Sequence, residues 1–118
     1  MKLHNLISEY LRQKKIRYFV KKIPQEYRIL EIGCKDGWLS DYFINNHYHN
    51  YVSLDISSPA DIIGDIRNWQ ELGIKAESFD VIIAFEVVEH VNCWQDCYKI
   101  LKPGGMFMVT TPVPHTDW

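Results

Sequence analysis

"RILEIGCKDGWLSDYFINNH", residues 28–47, decides how this chain folds. Its first six residues are a short apolar run ending on Gly33, which reads as a strand. From Asp36 onward, Trp38, Leu39, Tyr42 and Phe43 recur at helical spacing. Between the two, Gly33 and Gly37 bracket a tight strand-to-helix turn. Glycine is needed where φ is positive or where a ligand lies against the backbone. The start of the following helix offers free N–H groups. A dinucleotide fingerprint would need glycines at 33, 35 and 38, and the chain has Gly33, Lys35 and Trp38 there, a poor match. The looser spacing G-x-G-x-G is met at 33 and 37 only. Alone, the loop reads either as a cofactor cradle or as a plain turn.

Downstream the pattern alternates. "NYVSLDI" (50–56) is a strand and "DIIGDI" (61–66) a brief one, followed by "RNWQELG" (67–73), a short helix or turn. "FDVIIAFEVV" (79–88) is the strongest strand, apolar and β-branched. "VNCWQDCYKILKPGG" (91–105) reads as a helix stopped by Pro103-Gly104-Gly105, and "MFMVTTP" (106–112) as a last strand. The main strands are nearly continuous apolar runs, as expected of strands buried on both faces of a parallel sheet. Helices between them point to an open α/β sheet covered on both sides. Upstream, Leu3, Leu6, Ile7, Tyr10 and Leu11, then Ile16, Phe19, Val20 and Ile23, predict one or two amphipathic helices ended by Pro24. The expectation is one domain over 1–118, with a helical segment at 1–24 and an α/β core at 25–118.

Composition agrees with a globular chain: 47% hydrophobic, 24% charged, formal net charge -2. No apolar run approaches the roughly 20 residues that span a bilayer, and the N-terminus lacks a secretory pattern. Three cysteines, Cys34, Cys93 and Cys97, do not read as a disulfide framework and place the chain in a reducing cytoplasm. Cys93 and Cys97, four apart, would share a helix face and read as buried packing residues. Charge is uneven: residues 1–28 hold eight Lys/Arg against Glu9 and Glu26, so +6, and the rest holds five basic against thirteen acidic residues, so -8. The basic segment either meets a phosphate-bearing substrate or anionic surface, or docks on the acidic body with its lysines in water. The second reading is preferred.

Open α/β sheets bind ligands at the carboxyl ends of their strands. Asp55 ends the second strand, 18 residues after Gly37, where a carboxylate can accept two hydrogen bonds from a ribose diol. Gly64-Asp65-Ile66 ends the third, and an acidic side chain followed by a backbone N–H can read the edge of adenine. With these, "ILEIGCKDGWLS", "YVSLDIS", "GDI", "FDVIIAFEVVEHV" and "LKPGGMFMVTTP" resemble a class I S-adenosylmethionine-dependent methyltransferase, of the group that includes quinone-biosynthesis O-methyltransferases. The resemblance covers about residues 26–114. It implies a Rossmann-like, mostly parallel sheet of five strands in order 3-2-1-4-5, and S-adenosylmethionine or S-adenosylhomocysteine as cofactor. Glu31 and the backbone of Gly33, Cys34, Lys35 and Gly37 would line the methionine part. Asp55 would hold the ribose, Ile56 would pack on adenine, Asp65 and Ile66 would recognise its edge, and Phe85 would offer its carbonyl to the amino group.

The resemblance also implies methyl transfer to a small-molecule oxygen, nitrogen or carbon, with His90 the first candidate base and Glu86 the second. Glu86, Glu89 and His90 in "EVVEH" match the residue types of a divalent-cation site, used in small-RNA 2′-O-methyltransferases and some quinone O-methyltransferases. The preferred reading is a structural turn with no metal. His115 is a further candidate ligand or base. The family's sixth and seventh strands are expected to be absent, which leaves the fifth as an edge: the chain is a piece of a longer protein, a natural half that needs a partner chain, or a dimer whose second copy covers that edge. The alternative functions are a non-catalytic cofactor- or partner-binding module and a metal-assisted RNA 2′-O-methyltransferase-like enzyme. Nucleic acid is not an expected partner.

Overall fold

A computed structural model describes residues 3–34 and 36–111. The elements are α1 (Leu3–Tyr18), a 3-10 turn (Val20–Lys22), β1 (Ile29–Ile32), α2 (Trp38–Asn45), β2 (Tyr51–Asp55), β3 (Ile62–Ile63), a second 3-10 turn (Ile66–Asn68), β4 (Phe79–Phe85), α3 (Trp94–Ile100) and β5 (Leu101–Thr110). The strands form one sheet in the order β3-β2-β1-β4-β5, and every neighbouring pair is parallel. This is the order that the family resemblance implies.

The apolar runs split by alternation onto two faces. Ile29, Val81 and Ile83 join Val20, Ile23, Leu39, Phe43 and Tyr48 on one side. Leu30, Ile32, Ile82 and Ala84 join Trp69, Cys93, Cys97 and Ile100 on the other. All four residues of β1 are buried, because it lies between β2 and β4 with covering layers above and below. On the first side Phe43 makes edge contact with Tyr48, ring centroids 4.8 Å apart, and the Tyr48 hydroxyl donates to the carbonyl of Ile23. The buried Cys93, which caps α3, and Cys97 within it are free thiols packed in the second core, as their reading as buried packing residues predicted.

Two expectations are corrected. The helix read over 91–105 is only Trp94–Ile100, and Pro103-Gly104-Gly105 does not stop it. Ile100 is already followed by β5, where Leu101 pairs with Phe79 and Met106 pairs with Val81. The intervening residues of β5 bulge out, because a proline and two glycines can leave the ladder where other residues would hold it. A Cβ on Gly105 would stand 2.9 Å from the carbonyl oxygen of Lys102 and 3.0 Å from that of Asp80.

The second correction concerns α1. Leu3, Leu6, Ile7, Tyr10 and Leu11 face solvent rather than the core. The helix meets the body through cations. Arg12 Nη2 lies 3.2 Å from Asp36 Oδ2, and the Arg12 guanidinium lies over the Trp38 ring. The rim it meets is acidic and aromatic, so it attracts the polar side of the helix. The helical segment does end before Pro24, whose fixed φ and missing N–H oppose further helix.

Because the two nearest neighbours of the Gly105 Cβ position are backbone atoms, Gly105→Ala should lower stability by about 1–3 kcal/mol. Urea denaturation followed by circular dichroism measures this, and an unchanged midpoint would show that the bulge yields freely.

Candidate active site

A cavity of about 390 Å³ opens at the carboxyl ends of β1, β2 and β4, within the size range of small-molecule sites. Parallel pairing causes this: it brings the ends of three strands to one edge, so their loops face each other. Glu31, Gly33, Cys34 and Gly37 line it from the first loop, Asp55 and Ile56 from the second, Asp65 and Ile66 from the third, and Phe85, Glu86 and His90 from the fourth. The one cofactor candidate outside this group is Lys35, which lies outside the described residues, as does His115.

The first loop is shaped by its glycines. Gly33 has φ 79°, and a Cβ there would stand 2.6 Å from Cγ2 of Val87. Its amide donates to the Leu54 carbonyl at 2.8 Å, which ties the turn to β2. Gly37, at φ 69°, caps the start of α2. A side chain at either position would be strained.

Glu31 is the unusual group. It is buried in the middle of the sheet and accepts a hydrogen bond from the Tyr51 hydroxyl. Burial pushes its carboxyl from the ordinary 4.5 up to about 7; the Tyr51 bond opposes that shift and the nearby Asp55 charge adds to it. Its charge is therefore poised near neutrality, and a cationic ligand group beside it would favour the ionised form. Burial likewise raises the Tyr51 hydroxyl, with the Glu31 carboxylate next in importance.

The two remaining acids differ. Asp55 Oδ1 accepts from the Ile56 amide at 2.7 Å, which fixes the carboxylate at the end of β2. Asp65 is engaged by Arg67: its oxygens accept from the Arg67 amide at 2.9 Å and from Nε at 3.0 Å, and Nη2 stands 2.5 Å away. Arg67 holds this carboxyl down at about 2. A ligand amine at Asp65 would share or displace that exposed ion pair, which water screens.

At the mouth, Glu86 adopts φ 60° and its amide donates to the Thr110 carbonyl at 2.7 Å. The strained turn after β4 thus directs the chain across the end of β5. His90 Nε2 stands 3.4 Å from Glu89 Oε1, and the His90 ring is largely exposed. Among the described residues, no group of three or more His, Cys, Asp or Glu side chains could hold a metal ion. The EVVEH segment brings Glu86 and His90 to the cavity.

Sequence reasoning missed Lys15, Asp36 and Trp38, which also line the cavity. Trp38 stacks on Phe85, centroids 6.4 Å apart and planes 10° from parallel. Periodicity marks Trp38 only as a helix-face residue. The +6 charge of the N-terminal segment was the signal for Lys15, but it did not say which lysine would reach the site.

Comparison with known proteins agrees with this geometry. A family profile described as "Methyltransferase domain" matches residues 3–118. A probable S-adenosylmethionine-dependent methyltransferase of Mycolicibacterium smegmatis is 33% identical over 99 residues, 71% of this chain and 37% of that protein. The mitochondrial ubiquinone biosynthesis O-methyltransferase of Rattus norvegicus is 50% identical over 46 residues, covering 36% of this chain and 13% of that protein. Among solved structures, a SAM-dependent methyltransferase from Archaeoglobus fulgidus superposes with TM-score 0.71 at 16% identity, over 96% of this chain and 60% of that one. The chain thus spans little more than a third of its Mycolicibacterium relative and three fifths of the Archaeoglobus structure.

The Glu31 carboxyl rises on folding, so its contribution to stability is fully present below about pH 4.5 and is lost as pH rises through about 7. Relative to Glu31→Gln, the wild-type chain should lose roughly 3 kcal/mol between those limits and pH 8. Paired denaturation curves across pH measure this, and parallel curves for the two proteins would refute the buried-acid assignment.

Proposed function

We propose, since the chain belongs to the methyltransferase-domain family, that it binds S-adenosylmethionine and transfers its methyl group to a small-molecule acceptor. The observation that carries this reading is the one cavity shared by the Gly33–Gly37 turn, Asp55, Asp65 and Phe85. The residues fit the cofactor. Asp55 offers a fixed carboxylate for a ribose diol, and a buried acid, Glu31, suits a cationic amino-acid group. The Gly37 Cβ position has no atom within 4 Å, which leaves the turn open toward a ligand.

When bound, the cofactor supplies an electrophilic methyl group on a sulfonium. The chain's own work is positioning and proton transfer. Asp55 and the glycine turn hold one reactant, and the ring of Phe85 with Trp38 walls the place where the other approaches. Holding two reactants in attack geometry accounts for most of the acceleration in such a displacement. Glu86 and His90 both line the cavity at its mouth, and His90 is the first candidate and Glu86 the second to accept the proton that an oxygen or nitrogen nucleophile must lose. In that reaction the methyl group would pass to the acceptor and S-adenosylhomocysteine would be released.

We also propose that the outer edge of β5 receives a strand from a second copy or a partner chain. Among the described residues β5 pairs only with β4, and Met106, Trp94 and Tyr98 nearby are exposed. Unpaired strand edges recruit other strands. Sedimentation equilibrium should show self-association of the purified chain, and a monomer at every concentration would argue against a second copy.

Calorimetry with S-adenosylhomocysteine tests the main reading. Binding is expected, and Asp55→Ala should weaken it about 10- to 100-fold by removing hydrogen bonds to a charged acceptor. No heat at millimolar ligand would overturn the assignment. Binding without transfer to any acceptor would favour a non-catalytic module.

A further inference from the structure

Among the described residues the cavity has one Lys or Arg in its lining, Lys15 of α1. Its Nζ lies over the Phe85 ring, 5.1 Å from the centroid. Among the described residues no carboxylate comes within 4.0 Å of it, although acids line the same cavity. Its neighbour on the helix is different: Arg12 is already bonded to Asp36, beside the glycine turn. The two cations are therefore divided. Arg12 is engaged at the turn, and Lys15 is left over Phe85 at the end of β4.

A bound anion at the Lys15 ammonium would gain a charge-assisted hydrogen bond in a cleft partly shielded from water. The wall under the ammonium is flat and aromatic, Phe85 stacked on Trp38, which suits a planar group.

We propose that Lys15 is a specificity-determining residue that binds an anionic substituent, carboxylate or phosphate, on a planar methyl acceptor. The proposal rests on the methyltransferase reading above and adds the acceptor's chemical class to it. The helix α1 then carries the acceptor's counter-charge to the cavity that Glu86 and His90 also line.

The test is calorimetry on the chain saturated with S-adenosylhomocysteine, using benzoate, phenyl phosphate and uncharged benzamide as probes. Benzoate or phenyl phosphate should bind about tenfold or more tightly than benzamide. Which anion binds better tells a carboxylate-bearing acceptor from a phosphate-bearing one. Lys15→Ala should abolish the preference, Lys15→Arg should keep it, and neither should change cofactor affinity by more than about threefold. Equal binding of benzamide and both anions would overturn the proposal. So would a loss of S-adenosylhomocysteine affinity in Lys15→Ala as large as the loss of anion affinity, because the ammonium would then belong to the cofactor. Failure of the wild-type chain to bind S-adenosylhomocysteine strikes the methyltransferase reading instead, and is seen in the first titration. The anion titrations are then run on the unloaded chain and judged by the same preference.

Discussion

The burial of β1 between two parallel neighbours is the constraint on which the rest of the structure depends. Glu31 stands level with Ser53 of β2 and Ile83 of β4, and all four β1 residues are buried. A strand covered on both faces and paired on both edges cannot slip by one residue without sending its apolar side chains to the wrong layer. Because the three strands run the same way, Gly33, Asp55 and Phe85 leave the sheet at the same edge. The cavity follows from that alignment. The same burial traps Glu31 in the sheet, which strongly disfavours a charged carboxylate and keeps its titration near neutral pH.

Electrostatics then divides the labour around the cavity. Asp65 is held by Arg67 and Asp36 by Arg12, so two of the lining acids are already neutralised by partners within the chain. Glu31, Asp55 and Glu86 have no cation within salt-bridge reach among the described residues. On the proposed reading, those three acids would meet the amino end, the diol end and the reacting end of the ligand. Lys15 enters from another element altogether, as the one lining Lys or Arg among the described residues. The orientation of α1 expresses the same balance. A helix with an apolar stripe would ordinarily turn that stripe inward, yet here the rim of Asp36, Trp38 and Phe85 draws its cations inward instead.

Much of the candidate site was legible along the chain because its chemistry sits at strand ends, where strand runs stop abruptly. Gly33, Asp55, Asp65 and Phe85 each close an apolar run, and a parallel sheet must gather such ends. Trp38 was legible only as an amphipathic-helix residue, because periodicity reports which face a residue occupies and not what that face looks onto. The end of α3 was not legible, because Pro103-Gly104-Gly105 is a breaker for a helix and also a licence for a bulge. Local sequence does not distinguish the two; the pairing of Leu101 with Phe79 does.

The amino-acid sequence by itself determined the sheet, its order, the two covering layers and the row of loop residues along one edge. These follow from local apolar runs, their alternation and the glycines that end them, and from the motifs that carry the family resemblance. The tertiary structure alone decided that α1 turns its cations to the cavity, that Arg67 and Arg12 claim two of the acids, and that Glu31 sits where its proton is held to about pH 7. Those outcomes depend on distances between residues brought together by the fold and on how much water each group loses. Neither quantity is written in the spacing of residues.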